Sequence, residues 1–212
     1  NSVDKYYIPM MSLAKYFPIL NTPYITIPDA KIPEEITSCT DFKIGIVWKG
    51  NISHANDANR SRNLKDFLWL KKHGSLFSLQ KDGKIGNLTW IKQLKLSHWA
   101  FTVGAVKGLD LVVCVDTSIA HLCGAMGIPC IVLIPKIGID WRWGELGENC
   151  IWYDSIRFAR MQSMEEVDRL INEFKSNVST QNPQGAWGPR KYTFSNTEFS
   201  ESELYLNKTS DI

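Results

Sequence analysis

What this chain lacks narrows its chemistry first. It contains no G-x-x-x-x-G-K-[ST] and no G-x-G-x-x-G, so neither a P-loop nor a dinucleotide fingerprint is present and simple ATP or NAD chemistry is disfavoured. No G-x-S-x-G elbow occurs, which leaves a Ser-His-Asp hydrolase unsupported. No run approaches the roughly 20 apolar residues of a membrane span, and Asn1–Tyr7 lacks the charged-then-apolar pattern of a signal peptide. Neither sign of charge dominates: the formal net charge is +2. A broad basic field for nucleic acid is not expected, and any bound anion should be held locally.

The five cysteines (Cys39, Cys114, Cys123, Cys130 and Cys150) are odd in number and include no C-x-x-C pair. Several sit in apolar runs, where a thiol behaves as a small buried hydrophobe. Reduced thiols and a soluble, cytoplasmic protein are expected. Asp116, His121 and Cys123 are close in sequence, but on a helix His121 and Cys123 point to different faces, so no metal site is expected.

What is present is ample core material, 44% hydrophobic and 11% aromatic residues in 212, arranged in three stretches. Residues 1–40 carry Pro9, Pro18, Pro23, Pro28 and Pro33, too densely for a long helix or a central strand. Only Met11–Phe17 is suited to a helical turn, and the stretch reads as a connecting segment that packs on something else. Residues 41–175 alternate strands and helices. Strands are expected at Phe42–Trp48, Leu76–Gln80, Leu109–Val115, Cys130–Ile134 and Ile151–Tyr153. Helices are expected at Asn63–Lys72, Thr102–Lys107, Ser118–Met126 (ending at Gly127) and from a Ser163/Glu166 capping box to about Phe174. Asn87–Ser97 is ambiguous. Alternation of this kind implies parallel βαβ units and a doubly wound sheet. Residues 176–212 read as a polar tail.

In a sheet of order 3-2-1-4-5 the first and fourth strands are neighbours, and ligands bind beyond their carboxyl ends. Two polar turns would then share a crevice: Lys49-Gly50-Asn51 and Asp116-Thr117-Ser118. The second opens a helix whose free amides and positive dipole end suit a phosphate. Asp116 either caps that helix or accepts from a ligand, and His121 either faces the ligand or is a satisfied core histidine. The first turn leads to Arg60 and Arg62, which either pair a diphosphate or are solvated surface charges. Trp141-Arg142-Trp143 offers a flat stacking surface and a charged fork, or simple packing.

The run from Leu109 to Pro129, with D-T-S-x-x-H-L-x-x-A-x-G-x-P inside it, resembles the signature of glycosyltransferase family 9, which includes the lipopolysaccharide heptosyltransferases. Gly45–Asn51, Asn56–Ser61, Phe77–Gln80, Asp140–Trp143 and Trp152–Tyr153 are similar to segments of family-9-like domains at the end of bacterial tetratricopeptide-repeat proteins. Ile8–Leu13 with Pro23–Tyr24 resembles the close of the domain that precedes them there, so the likeness spans residues 8–175.

The resemblance implies an α/β, Rossmann-like parallel sheet forming the carboxyl-terminal half of a GT-B glycosyltransferase. It places Asp116, Thr117, Ser118 and His121 on the donor-binding signature and Arg60 near the phosphates. With Gly50, Asn51, Ser61, Gln80, Trp141 and Arg142 these make up the expected donor-binding set. A nucleotide-diphosphate sugar is the expected donor, a glycan or protein hydroxyl the acceptor, and neither cofactor nor metal is required. In heptosyltransferases the proposed base is an aspartate of the amino-terminal domain, which is expected to be missing here, so no catalytic residue is named. Where family members often have D-T-A before the fourth strand, this chain has Phe101-Thr102-Val103, an aromatic residue replacing the usual aspartate. The expected activity is hexosyl or heptosyl transfer. The alternatives are a non-catalytic nucleotide-sugar-binding or scaffolding module and, with the signature against it, an epimerase of similar shape.

Overall fold

Successive side chains along a strand face opposite sides of a sheet, and here both sides are covered. In the computed structural model, which describes residues 23–25, 29–81, 85–140, 143, 147, 149–160 and 163–181 (side chains through 176), six parallel strands form one sheet. They are β1 Lys43–Val47, β2 Ser75–Ser78, β3 Lys92–Gln93, β4 Leu111–Val115, β5 Cys130–Ile134 and β6 Ile156–Arg160, in the order β3-β2-β1-β4-β5-β6. This is a Rossmann-like arrangement, with the reversal of strand order between β1 and β4, paired from Ile44↔Leu111 to Val47↔Cys114.

The alternation divides the core in two. Ile44, Ile46, Leu111, Val113, Ile131 and Leu133 face one side, with Phe67 and Leu70 of a 310 helix (Leu64–His73) and Val167, Leu170, Ile171 and Phe174 of helix α5 (Met164–Gln181). Val47, Phe77, Val112, Cys114, Cys130 and Val132 face the other. They pack there with helices α1 (Glu34–Thr37), α3 (Trp99–Gly108) and α4 (Ser118–Met126). Another short helix, α2 (Asp57–Arg60), lies in the loop after β1. Fully burying each Leu or Ile contributes about 1.5–3 kcal/mol, and β4 is buried at all five positions.

Helix α4 and strand β5 have the bounds expected of them. Gly127 ends α4 in the left-handed conformation, φ 69°, where a residue without a Cβ carries no steric cost. Other elements differ. The segment Asn63–Lys72 is helical but wound as a 310 helix, opened by a capping box in which Asp66 Oδ2 accepts from Asn63 N at 3.2 Å. Thr102–Lys107 extends to Trp99–Gly108, and the ambiguous Asn87–Ser97 contains the two-residue β3.

Ile151–Tyr153 is not a strand. The sixth strand is Ile156–Arg160, in register with β5 from Cys130↔Ile156 to Ile134↔Arg160. Tyr153 instead lays its ring against Gly124 of α4, where any Cβ would collide with it. Arg157 is buried within β6 because its Nη1 donates to the carbonyls of Asp154 (3.0 Å) and Ile156 (2.8 Å).

Helix α5 runs beyond Phe174 to Gln181, since neither Gly nor Pro interrupts that stretch. At its start Ser163 Oγ accepts from Glu166 N, but the Glu166 carboxylate turns to Arg160 N (2.8 Å), so only half of the expected capping box forms. The early segment packs on the domain itself: Tyr24 and Ile25 amides donate to Ala125 O, and Ile36 is buried in the core. Met11–Phe17 and residues 182–212 lie outside the described residues. No described helix is long and apolar enough to cross a membrane.

All five cysteines are free thiols. Burial pushes Cys150 up to about 11. At Cys114 the hydrogen bond with Cys130 is the largest single influence and pulls downward, but burial together with the neighbouring Cys123 and Asp116 outweighs it, and the thiol ends above its usual range. These groups are protonated and poor nucleophiles near neutral pH.

Lys72 and His73, ending the 310 helix, both bind Asp168 of α5 (His73 Nε2 to Oδ1, 2.7 Å). Burial alone would raise the Asp168 carboxyl, but hydrogen bonds from Lys72 and His73 hold it below the ordinary 3.8. A carboxylate depressed in the folded state stabilises above its unfolded value and loses that contribution as pH falls through the folded one. Denaturant titrations should therefore show Asp168→Asn less stable than wild type at pH 7, with the gap closing below about pH 4. A gap independent of pH would assign the effect to packing.

Candidate functional site

Beyond the carboxyl ends of β1, β2 and β4 lies an open cleft of about 1180 Å³. Its geometry begins with the loop after β1. The loop neck is closed by Arg62 N donating to Trp48 O at 2.7 Å. Inside it, Gly50 N donates to Ser61 Oγ (2.9 Å), which donates to Asp57 Oδ1 (2.8 Å).

Arg60, only 8% exposed, donates through Nε to the same Asp57 oxygen (3.2 Å) and through Nη1 to the carbonyl of Asp116 (2.9 Å). Its guanidinium lies against Gly50, where any Cβ would overlap it; the glycine is required for that approach. The loop is tied sideways too. Lys49 N donates to Gln80 Oε1 at the end of β2 (3.2 Å). Asn56 Nδ2 donates to Ile137 O (3.2 Å) and Gly138 O (2.6 Å) after β5.

The opposite element is the start of α4. Thr117 is its N-cap in extended conformation, yet no side chain caps the helix. Thr117, Ser118 and Ile119 line the cleft. Among the described residues the buried Thr117 Oγ1 finds no hydrogen-bond partner, which costs on the order of 1–3 kcal/mol unless a further polar group reaches it. An uncapped helix start beside a partnerless hydroxyl is suited to accept an anion.

Of the expected residues, the structure brings Gly50, Asn51, Arg60, Ser61, Gln80, Thr117 and Ser118 to this one cleft. Asn51 is exposed and forms a local turn, Oδ1 accepting from Ser53 N at 2.9 Å. Asp116 contributes its carbonyl to Arg60 and is not among the cleft-lining residues. His121 is set apart from the cleft: its ring stacks on Trp143 (4.6 Å between centroids) and Nδ1 meets Tyr153 Oη at 3.1 Å. Trp141 and Arg142 lie outside the described residues.

The cleft also contains residues beyond the expected set: Lys81 beside Gln80, and the stretch from Leu96 to Trp99 with Thr102. Lys81 was accessible by applying the carboxyl-end rule to β2 as well as to β1 and β4. In the other wall, Thr102 falls in the Phe101–Val103 segment set against the family's D-T-A, whereas no sequence motif marks Leu96–Trp99. Four cations, Lys49, Arg60, Arg62 and Lys81, face two carboxylates, Asp57 and Asp66, in this lining. A cleft that concentrates positive charge in a nearly neutral chain focuses its field on anions. Among the described residues no group of three or more His, Cys, Asp or Glu side chains is placed to hold a metal.

No family model matches the chain, and no curated protein matches it.

Arg60 spans two loops with a buried ion pair, and breaking such a pair from one side costs roughly 3–5 kcal/mol. Chemical denaturation should show Arg60→Ala destabilised by about that amount, with Arg60→Lys recovering only part because a lysine cannot serve both acceptors as a planar fork. A stable Arg60→Ala protein would show that the guanidinium does not hold the loops.

Proposed function

We propose that this chain binds a nucleotide-diphosphate sugar in the cleft and serves as the donor-side half of a GT-B glycosyltransferase. One observation carries the reading: the turns after β1 and β4, far apart in sequence, meet at one cationic cleft beside an uncapped helix start and a buried hydroxyl without a partner. The resemblance of Asp116–His121 and Asn56–Ser61 to family-9 segments supports it from the sequence side.

In this reading the diphosphate lies between Thr117 and Ser118 and the cations of the β1 loop. An acceptor hydroxyl oxygen bonds to the anomeric carbon as the bond from that carbon to the diphosphate breaks, and the hydroxyl proton passes to a base. The helix start and the cleft cations stabilise negative charge on the departing diphosphate. The base is not assigned to this cleft. Asp57 is engaged by Arg60 and Ser61, and Asp66 accepts from the Asn63 amide. That engagement favours the second reading, a nucleotide-sugar-binding module that does not itself transfer.

Thermal-shift titration against UDP-, GDP- and ADP-sugars tests the proposal. A ligand at 100 times its Kd stabilises by about 2.7 kcal/mol. Thr117→Val removes the unpaired hydroxyl, so the free protein should melt at the same temperature or higher while the ligand-induced shift falls. No stabilisation by any of the three donors, or a full shift in Thr117→Val and Ser118→Ala, would contradict it. Stabilisation without hydrolysis or transfer would select the binding-module reading.

A further inference from the structure

Trp99 is the first residue of α3 and is 58% exposed, although tryptophan has more apolar surface to hide than any other side chain. The helix does have a buried side, formed by Thr102, Gly104, Ala105, Val106 and Gly108, so the exposure is a matter of where Trp99 falls on it. Both Trp99 and Thr102, three residues on and therefore on the same face, line the cleft. Next to Trp99, His98 also lines the cleft and stacks on Phe101 with ring centroids 5.2 Å apart.

The cleft lining thus has two characters. The segments after β1 and β2 supply its cations, while the segment entering α3 supplies Leu96, His98 and Trp99. A ligand matching both must join an anionic group to a flat, π-faced one. An inorganic anion would leave the aromatic segment in water, and an apolar ligand would leave the cations unmatched.

Resting on the reading of this cleft as a diphosphate site, we infer that Trp99 is the platform on which the nucleobase of the donor stacks, with His98 beside it. Stacking accepts any base, because every base presents a π face. Trp99 therefore supplies affinity for the nucleoside end and leaves the choice among bases to other contacts.

The test measures binding of inorganic diphosphate, ADP and UDP to wild type, Trp99→Ala and Trp99→Phe by calorimetry, with the melting temperature of each free protein as a folding control. Wild type should bind both nucleoside diphosphates more tightly than inorganic diphosphate. Trp99→Ala should weaken the nucleoside diphosphates on the order of tenfold and leave inorganic diphosphate unchanged, while Trp99→Phe retains most of the affinity. Equal nucleoside diphosphate binding by wild type and Trp99→Ala, with inorganic diphosphate still bound, would overturn the platform and leave the diphosphate site standing. Failure of wild type to bind any of the three would overturn both.

Discussion

Arg60 places a permanent charge where little water reaches it, and a guanidinium in that position is stable only if fixed acceptors replace the solvent it has lost. The Asp57 carboxylate and the Asp116 carbonyl do so, and because those acceptors belong to the loops after β1 and β4, satisfying the charge also joins the two loops. Gly50 has no side chain in the way of the guanidinium, and Ser61 links the Gly50 amide to Asp57. The cleft is therefore shaped before any ligand arrives. Preorganisation of this kind lets a site hold an anion without first ordering its own loops.

The same geometry changes what Arg60 can contribute. With Nε and Nη1 committed to protein acceptors, it acts on an anion in the cleft mainly as a fixed positive charge. In the proposed reading, bidentate contact with a diphosphate would fall to Arg62, with Lys49 and Lys81 contributing as point charges. At the other wall the balance is reversed: the buried Thr117 Oγ1 finds no hydrogen-bond partner among the described residues. A hydroxyl left in that condition is compensated when an acceptor or donor from a ligand reaches it, whereas a fully capped helix start would have nothing to offer.

Much of the architecture was legible in the residues. Cys130–Ile134 is a short apolar run, and Gly127 with Pro129 marks the break between α4 and β5, so those bounds follow from local rules; the run Leu109–Val115 marks β4 too, although the strand starts only at Leu111. The reversal between β1 and β4 follows from counting strands, and it located seven of the expected residues in one cleft. The failures have physical causes. β6 carries two arginines, and the burial of Arg157 depends on carbonyls no periodicity announces. Trp152–Tyr153 has strand-like composition, but Tyr153 is used to pack on Gly124. His121 had two readings open, and its stacking on Trp143 was beyond reach because residue 143 is distant in sequence. Trp99 belonged to no motif; only the placement of α3 against the sheet brings it to the cleft.

The central claim is that an anion occupies the space between the start of α4 and the loop clamped by Arg60. A crystal structure of the protein with ADP or UDP tests it most directly. The account predicts phosphate oxygens within hydrogen-bonding distance of the Thr117 hydroxyl or the amides at the start of α4, with Lys49, Arg62 or Lys81 turned toward them. Density for the diphosphate elsewhere, for instance in the groove formed by Asp41, Lys71, His73 and Lys92 at the other end of the strands, with Thr117 Oγ1 still unpartnered, would contradict it.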